Sequence, residues 1–254
     1  MIITSALTTT LQIILIIIII LIMLVSLFAI VTSIYLAIRY LKYNRYNNSC
    51  GLTGTEIARK ILDDNQLEKI KVNQNGSLLF GNSYSHYFKK VRLRRLIYKK
   101  RSLTSLAIAS QKASLAILDK ENDPDMKKRI RILPIVVFGP FAFIPLVVIG
   151  LLLDIFIFHS SGVATIILTT FALVLYLLAF VLNFIELKTE KKAQERAIKI
   201  VCDEKLVTEE EIKMMRDLYH LYNIEYVNNM IISFLEFLYY IIRILLISSL
   251  KKDN

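Results

Sequence analysis

Residues 11–38 read LQIILIIIIILIMLVSLFAIVTSIYLAI, without one charged side chain. About 20 apolar residues cross the hydrocarbon core of a bilayer as a helix, so this stretch spans with length to spare. A cleaved signal peptide would need a basic start, a shorter apolar core and a small-residue cleavage site. Here the chain opens Met-Ile-Ile-Thr-Ser, and Arg39, Lys42 and Arg45 follow the apolar run. The reading is a retained anchor over 11–38, with 1–10 as a short external N-terminus.

Working outward, the whole chain shares this character. Of its 254 residues 55% are hydrophobic, and mean hydropathy is +0.53, too apolar for a soluble domain of this length. The formal net charge is +11. From Arg39 to Arg131 there are 21 Lys/Arg against 8 Asp/Glu. Flanked by apolar segments, that excess reads as the cytoplasmic face of a membrane protein under the positive-inside bias. Membrane lipids are then the expected partner of the basic surface, and nucleic acid is not. Cys50 and Cys202 have no metal-ligand spacing and fall in cytoplasmic segments, so no disulfide is expected.

Three further apolar stretches follow: 132–158, broken by Pro134, Pro140 and Pro145; 163–185; and 230–250. Prolines free backbone groups that neighbouring helices must satisfy, so the second span packs against protein. His159-Ser160-Ser161-Gly162 makes a tight external turn between the second and third spans. The last span carries Glu236 and Arg243, seven residues apart on one face, which should turn inward because charge at bilayer depth is costly. Lys251 and Lys252 would lie outside if it crosses fully, against the charge rule, so an interfacial placement stays open for this helix. The fold class is mainly α: a multi-pass α-helical membrane protein with a small, mostly helical cytoplasmic domain over 41–131 and a cytoplasmic helical segment over 186–229.

Within 41–131, Thr53-Gly54-Thr55-Glu56 is a capping box that opens a helix with Ile57, Ala58, Ile61 and Leu62 on one face. The Gly-, Asn- and Ser-rich stretch 73–87, with the short apolar run Ser77-Leu78-Leu79-Phe80, reads as a small hairpin or irregular strands. An Ala/Leu/Ile-rich helix runs over 102–118 and stops near Asp123-Pro124. Thr208-Glu209-Glu210-Glu211 is a second capping box.

Gly51-Leu52-Thr53-Gly54-Thr55-Glu56-Ile57-Ala58-Arg59-Lys60-Ile61-Leu62 resembles the opening signature G-x-T-G-x-E-[VI]-A-x-x-[IL]-L of the neutral zinc metallopeptidases of bacterial membranes (the YugP-type family). Later blocks of that family match in order and at similar spacing, so the resemblance covers almost the whole chain. It implies a zinc peptidase in which an H-E-x-x-H helix supplies two ligands and the base. Two His at i and i+4 hold the metal on one helical face, while the Glu activates its water.

Those residue types are absent at the matching positions. Register is set by Arg101-Ser102, and Gln111 stands for the first His, Lys112 for the Glu and Leu115 for the second His. The D-H-Y-D block corresponds to Asn82-Ser83-Tyr84-Ser85, where Tyr84 alone remains. Glu190 keeps the carboxylate of the third-ligand block, among Lys188, Lys191 and Lys192, and reads as a solvated helix residue pairing with nearby lysines. The resemblance thus implies zinc for the family, while the substitutions imply no cofactor here.

The expectation is a pseudo-peptidase that binds membrane or unfolded protein clients, or a partner protease, in a role suited to protein quality control. Gln111 and Lys112 would form the floor of a cationic cleft, with Tyr84, Arg92, Arg94 and Arg95 as further binding residues. One alternative is an active membrane peptidase with relocated ligands drawn from His86, His220 and Glu190, or a Ser105–Lys112 pair. Another is a transporter or channel component using Glu236, Arg243 and Asp154.

Overall fold

A computed structural model describes residues 2–75, 81–159 and 162–252. Its elements in chain order are α1 (Ile2–Arg45), α2 (Gly54–Asp64), β1 (Lys71–Asn75), β2 (Ser83–Ser85), β3 (Lys90–Arg94), α3 (Arg95–Tyr98), α4 (Leu103–Lys120), α5 (Pro124–Leu153), a π-helical turn (Asp154–Phe158), α6 (Val163–Asp203) and α7 (Glu209–Lys252). The apolar stretches at 11–38, 132–158, 163–185 and 230–250 lie within α1, α5 with its π turn, α6 and α7, and α1, α6 and α7 run well past them. By length and composition, four described helices can cross a membrane. The run Ser77–Phe80 and the turn residues Ser160 and Ser161 fall outside the described residues.

The chain forms two compact units. One gathers Met1–Val31, Ile132–Phe184 and Glu225–Asn254. Its outward side chains are large and apolar, among them Phe28, Phe141 and Phe171, as lipid contact requires. Its inner contacts use small residues: Ala172 and Ala179 are fully buried, and a Cβ on Gly150 would stand 2.7 Å from the Thr165 backbone. Close backbone approach of this kind drives helix association where no hydrophobic effect operates. Asp154 accepts hydrogen bonds from the Ala164 and Thr165 amides at 2.9 and 2.8 Å and from the Thr165 hydroxyl at 2.6 Å. It satisfies donors that the start of α6 leaves open. Glu236 is half-buried and accepts from the Tyr176 hydroxyl at 3.1 Å. Arg243, expected on the same inward face, is exposed instead. Ile244 and Leu245 beside it are exposed as well, whereas Ile241 and Ile242 are partly covered, so the covered side of α7 faces away from Arg243 at this level.

The other unit gathers Thr32–Arg131 and Ile185–Ile224. It therefore joins the 41–131 region to the polar ends of α6 and α7, which continue out of their apolar stretches without a break. At its centre α4 is buried almost all round, which its small side chains Ala107, Ala109, Ala113 and Ala116 permit. The sheet has the order β1-β3-β2, with β1 and β3 parallel and β2 antiparallel to β3. The stretch 73–87 thus holds the end of β1 and all of β2, but they do not pair as a hairpin; both pair with β3, which lies beyond it. Both capping boxes form. Thr53 N donates to Glu56 at 2.7 Å, and Thr208 N donates to Glu211 at 2.8 Å. Gly54 is required sterically, since a Cβ there would sit 2.2 Å from the Ile97 carbonyl oxygen. The stop expected near Asp123-Pro124 falls between α4, which ends at Lys120, and α5, which begins at Pro124. Asp123 caps it, accepting from the Asp125 and Met126 amides at 2.9 and 3.0 Å.

Candidate functional site

On α4, residues i and i+4 share a face, so Gln111 and Leu115 are presented together. Leu115 is fully buried, and Gln111 nearly so. From α6, Glu190 comes to meet them. Its Oε2 accepts from Gln111 Nε2 at 2.8 Å and from Lys112 Nζ at 2.9 Å. Its Oε1 accepts from Arg129 Nη2, on α5, at 3.0 Å. Arg129 also lies 3.4 Å from Glu186, one turn before Glu190 on α6. Both acidic side chains of this cluster, and both basic ones, are less than 15% exposed. Unpaired charges in that setting would be costly, and two cations against two carboxylates leave no net charge.

Glu190 is therefore not the solvated residue the sequence suggested. It is buried, and its partners come from other helices rather than from neighbouring lysines. Lys188 and Lys192 reach instead to Asp125 and Asp123 at the start of α5. The cationic floor expected from Lys112 is also corrected, because its ammonium is compensated by Glu190. Arg129 and Glu186 were missed. The available signal was the i, i+4 pair Glu186/Glu190 at the end of an apolar run, since two like charges so spaced on a buried face require a cation between them.

Zinc takes imidazole, thiolate or carboxylate donors in a tetrahedral set. Of the residues that the resemblance sets at ligand positions, Glu190 alone is such a donor, and its oxygens are already occupied by an amide, an ammonium and a guanidinium. Leu115 offers only methyl groups. This donor set does not fit zinc. His220 is exposed on α7 and His159 is exposed at the end of the π turn. Among the described residues no three His, Cys, Asp or Glu side chains gather as a metal site would need.

Tyr84 belongs to a second cluster. Its hydroxyl donates to Asp119 Oδ2 at 2.6 Å, and the same oxygen lies 2.7 Å from His86 Nδ1 and 3.3 Å from Lys89 Nζ. Burial pushes the Asp119 carboxyl upward, but the hydrogen bonds of Tyr84 and His86 and the Lys89 charge outweigh it, leaving it below the usual carboxylate range. Burial and the Asp119 partner push the Tyr84 phenol well up. Arg92, Arg94 and Arg95 stand on β3 and at the start of α3, and among the described contacts none joins Lys112 or Glu190. The structure thus brings Gln111, Lys112, Leu115 and Glu190 together, and leaves Tyr84 and the three arginines elsewhere.

Comparisons with known proteins show the family. Residues 15–245 match the profile of the family described as "Putative neutral zinc metallopeptidase". The chain is similar to the "Putative membrane protease YugP" of Bacillus subtilis (strain 168), with 27% identity over 201 residues, covering 79% of this chain and 84% of that protein. No solved structure matches. With a helical membrane fold and a match over nearly all of its length, the chain belongs to the neutral zinc metallopeptidase family.

Proposed function

We propose that this chain is a non-cutting member of its family: a membrane protein that binds membrane or unfolded protein clients, or a partner protease, without hydrolysing peptide bonds. One observation carries the reading. The Glu190 carboxylate, at the position of the third ligand, is held by Gln111, Lys112 and Arg129 at 2.8–3.0 Å. Peptide hydrolysis in this family's manner needs a metal-bound water and a general base. Lys112 stands where the base would be and donates to Glu190, so it offers no carboxylate to take a proton from water. Its charge also repels any cation brought to the same place. The relocated-ligand alternative is weakened because, among the described residues, no three His, Cys, Asp or Glu side chains gather, around Glu190 or elsewhere. The transport alternative is weakened because Asp154 is engaged as a helix cap and Glu236 as an acceptor for Tyr176. The unit holding α4 is placed on the cytoplasmic side, a placement supported by the basic excess between Arg39 and Arg131.

The test is elemental analysis of the full chain purified in detergent without chelator, together with an assay on unfolded protein substrates. Zinc well below one per chain and no cleavage are expected. Zinc near one per chain, or cleavage blocked by chelator, would overturn the reading. Crosslinking in the intact membrane should then retrieve a protein partner, and a chain recovered alone would remove the binding half of the proposal.

A further inference from the structure

The sheet has one buried face and one open face. Strand side chains alternate, and paired positions in neighbouring strands point the same way. Val91, Leu93 and Tyr84 are buried, so the opposite face carries Lys90, Arg92 and Arg94 of β3, with Lys71, Asn73 and Asn75 beside them on β1 and Ser83 and Ser85 on β2. No carboxylate stands at any of these positions. The β2–β3 turn rises from the same region and is pinned at both ends by one oxygen, since His86 and Lys89 both reach Asp119 Oδ2. At its tip Tyr87 and Phe88 are each 67% exposed. Lys90 and Arg92 lie over the Phe88 ring, 4.7 and 5.6 Å from its centroid.

Two large aromatic side chains held out in water by a fixed turn, with basic side chains around them and no acidic ones on the adjoining face, have the composition of an anionic bilayer surface contact. Aromatic rings settle at the headgroup level, and Lys and Arg are drawn to anionic lipid. The chain is already anchored in a bilayer by its apolar helices, so such a surface is present at high effective concentration, whereas a soluble polyanion must compete for it. We propose that Tyr87 and Phe88 insert at the headgroup level of anionic lipid, with Lys71, Lys90, Arg92 and Arg94 contacting lipid phosphates. This docking is separate from the cluster around Glu190 and stands whether or not the chain cuts peptides.

The sequence contains no tryptophan, so Phe88→Trp provides a single reporter on an exposed turn. The full-length variant would be placed in nanodiscs of neutral phosphatidylcholine, or of phosphatidylcholine with phosphatidylglycerol. A blue-shifted emission, quenched by brominated lipid and reversed by high salt, is expected only with the anionic lipid. Adding Lys90→Gln, Arg92→Gln and Arg94→Gln should weaken docking about fivefold per basic residue removed, the equivalent of about 1 kcal/mol each. Matching thermal unfolding of the two variants would show that the fold is kept. Identical emission in both bilayers, or docking unaffected by the three added substitutions, would overturn the proposal. So would a shift produced in neutral nanodiscs by single-stranded RNA but not by anionic lipid, which would assign the face to nucleic acid.

Discussion

Replacing Glu190 by Gln would leave Lys112 and Arg129 facing one neutral amide, with Glu186 as their remaining counter-charge. Breaking a buried pair from one side costs about 3–5 kcal/mol, much of it from the orphaned charge. Glu190→Gln should therefore destabilise the chain by about 3 kcal/mol in denaturant unfolding in detergent. Lys112→Met should cost less, because Arg129 and Gln111 still hold the carboxylate. The double variant should then be less unstable than the two single losses added together, which is the signature of direct coupling. Asp119 and Tyr84 make a separate prediction. The Asp119 carboxyl is held low in the folded state, so its contribution is present above the unfolded value of about 3.9 and is lost as pH falls through the lower folded value. Tyr84 is held high, so its contribution is complete below about pH 10 and is lost above it. Unfolding midpoints followed across pH should show both limbs. Asp119→Asn should flatten the acid limb, and an unchanged acid limb would show that the carboxylate does not contribute.

Among the elements, α2 and α7 owe their starts to side chains that the sequence already displays. Gly54 stands where the backbone of Ile97 comes closest, and Gly54→Ala should cost about 1–3 kcal/mol as a rigid carbonyl is pushed aside. Glu211 accepts from Thr208 N and also from Ser49 N at 2.7 Å. Glu211→Ala should cost about 1–2 kcal/mol, the range of a lost cap, because both amides lose their acceptor. These devices were legible because capping and helical periodicity act over three or four residues. Strand within 73–87 was half legible, from Gly, Asn and Ser clustering, and the end of β1 and all of β2 fall there. Their pairing was not, because the shared partner β3 lies beyond that stretch and nothing in Lys71–Asn75 encodes a parallel neighbour. The site divides in the same way. The i, i+4 relation of Gln111 and Leu115 follows from helix geometry, whereas the approach of Arg129 and Glu186 depends on how three helices meet.

At the scale of the molecule, the apolar stretches and the basic run between them fixed a helical membrane protein early. The grouping of Thr32–Arg131 with Ile185–Ile224 did not follow from composition, since α6 and α7 pass from apolar to polar without any break in their helices. If the fold is held without metal, its thermal unfolding in detergent should be the same with chelator and with added zinc. A ligand present at a hundredfold over its dissociation constant would stabilise by about 2.7 kcal/mol, so a rise with zinc would reveal a site. The Lys112–Glu190 contact also bears on how a metal centre could be built here. A histidine placed at 111 alone would face an ammonium. Loss of Lys112 alone would leave the carboxylate short of a partner, and a histidine at 115 alone would bury a polar ring among apolar neighbours. Each single step toward a metal centre should lower stability, so zinc donors could be built into this helix only by several substitutions made together.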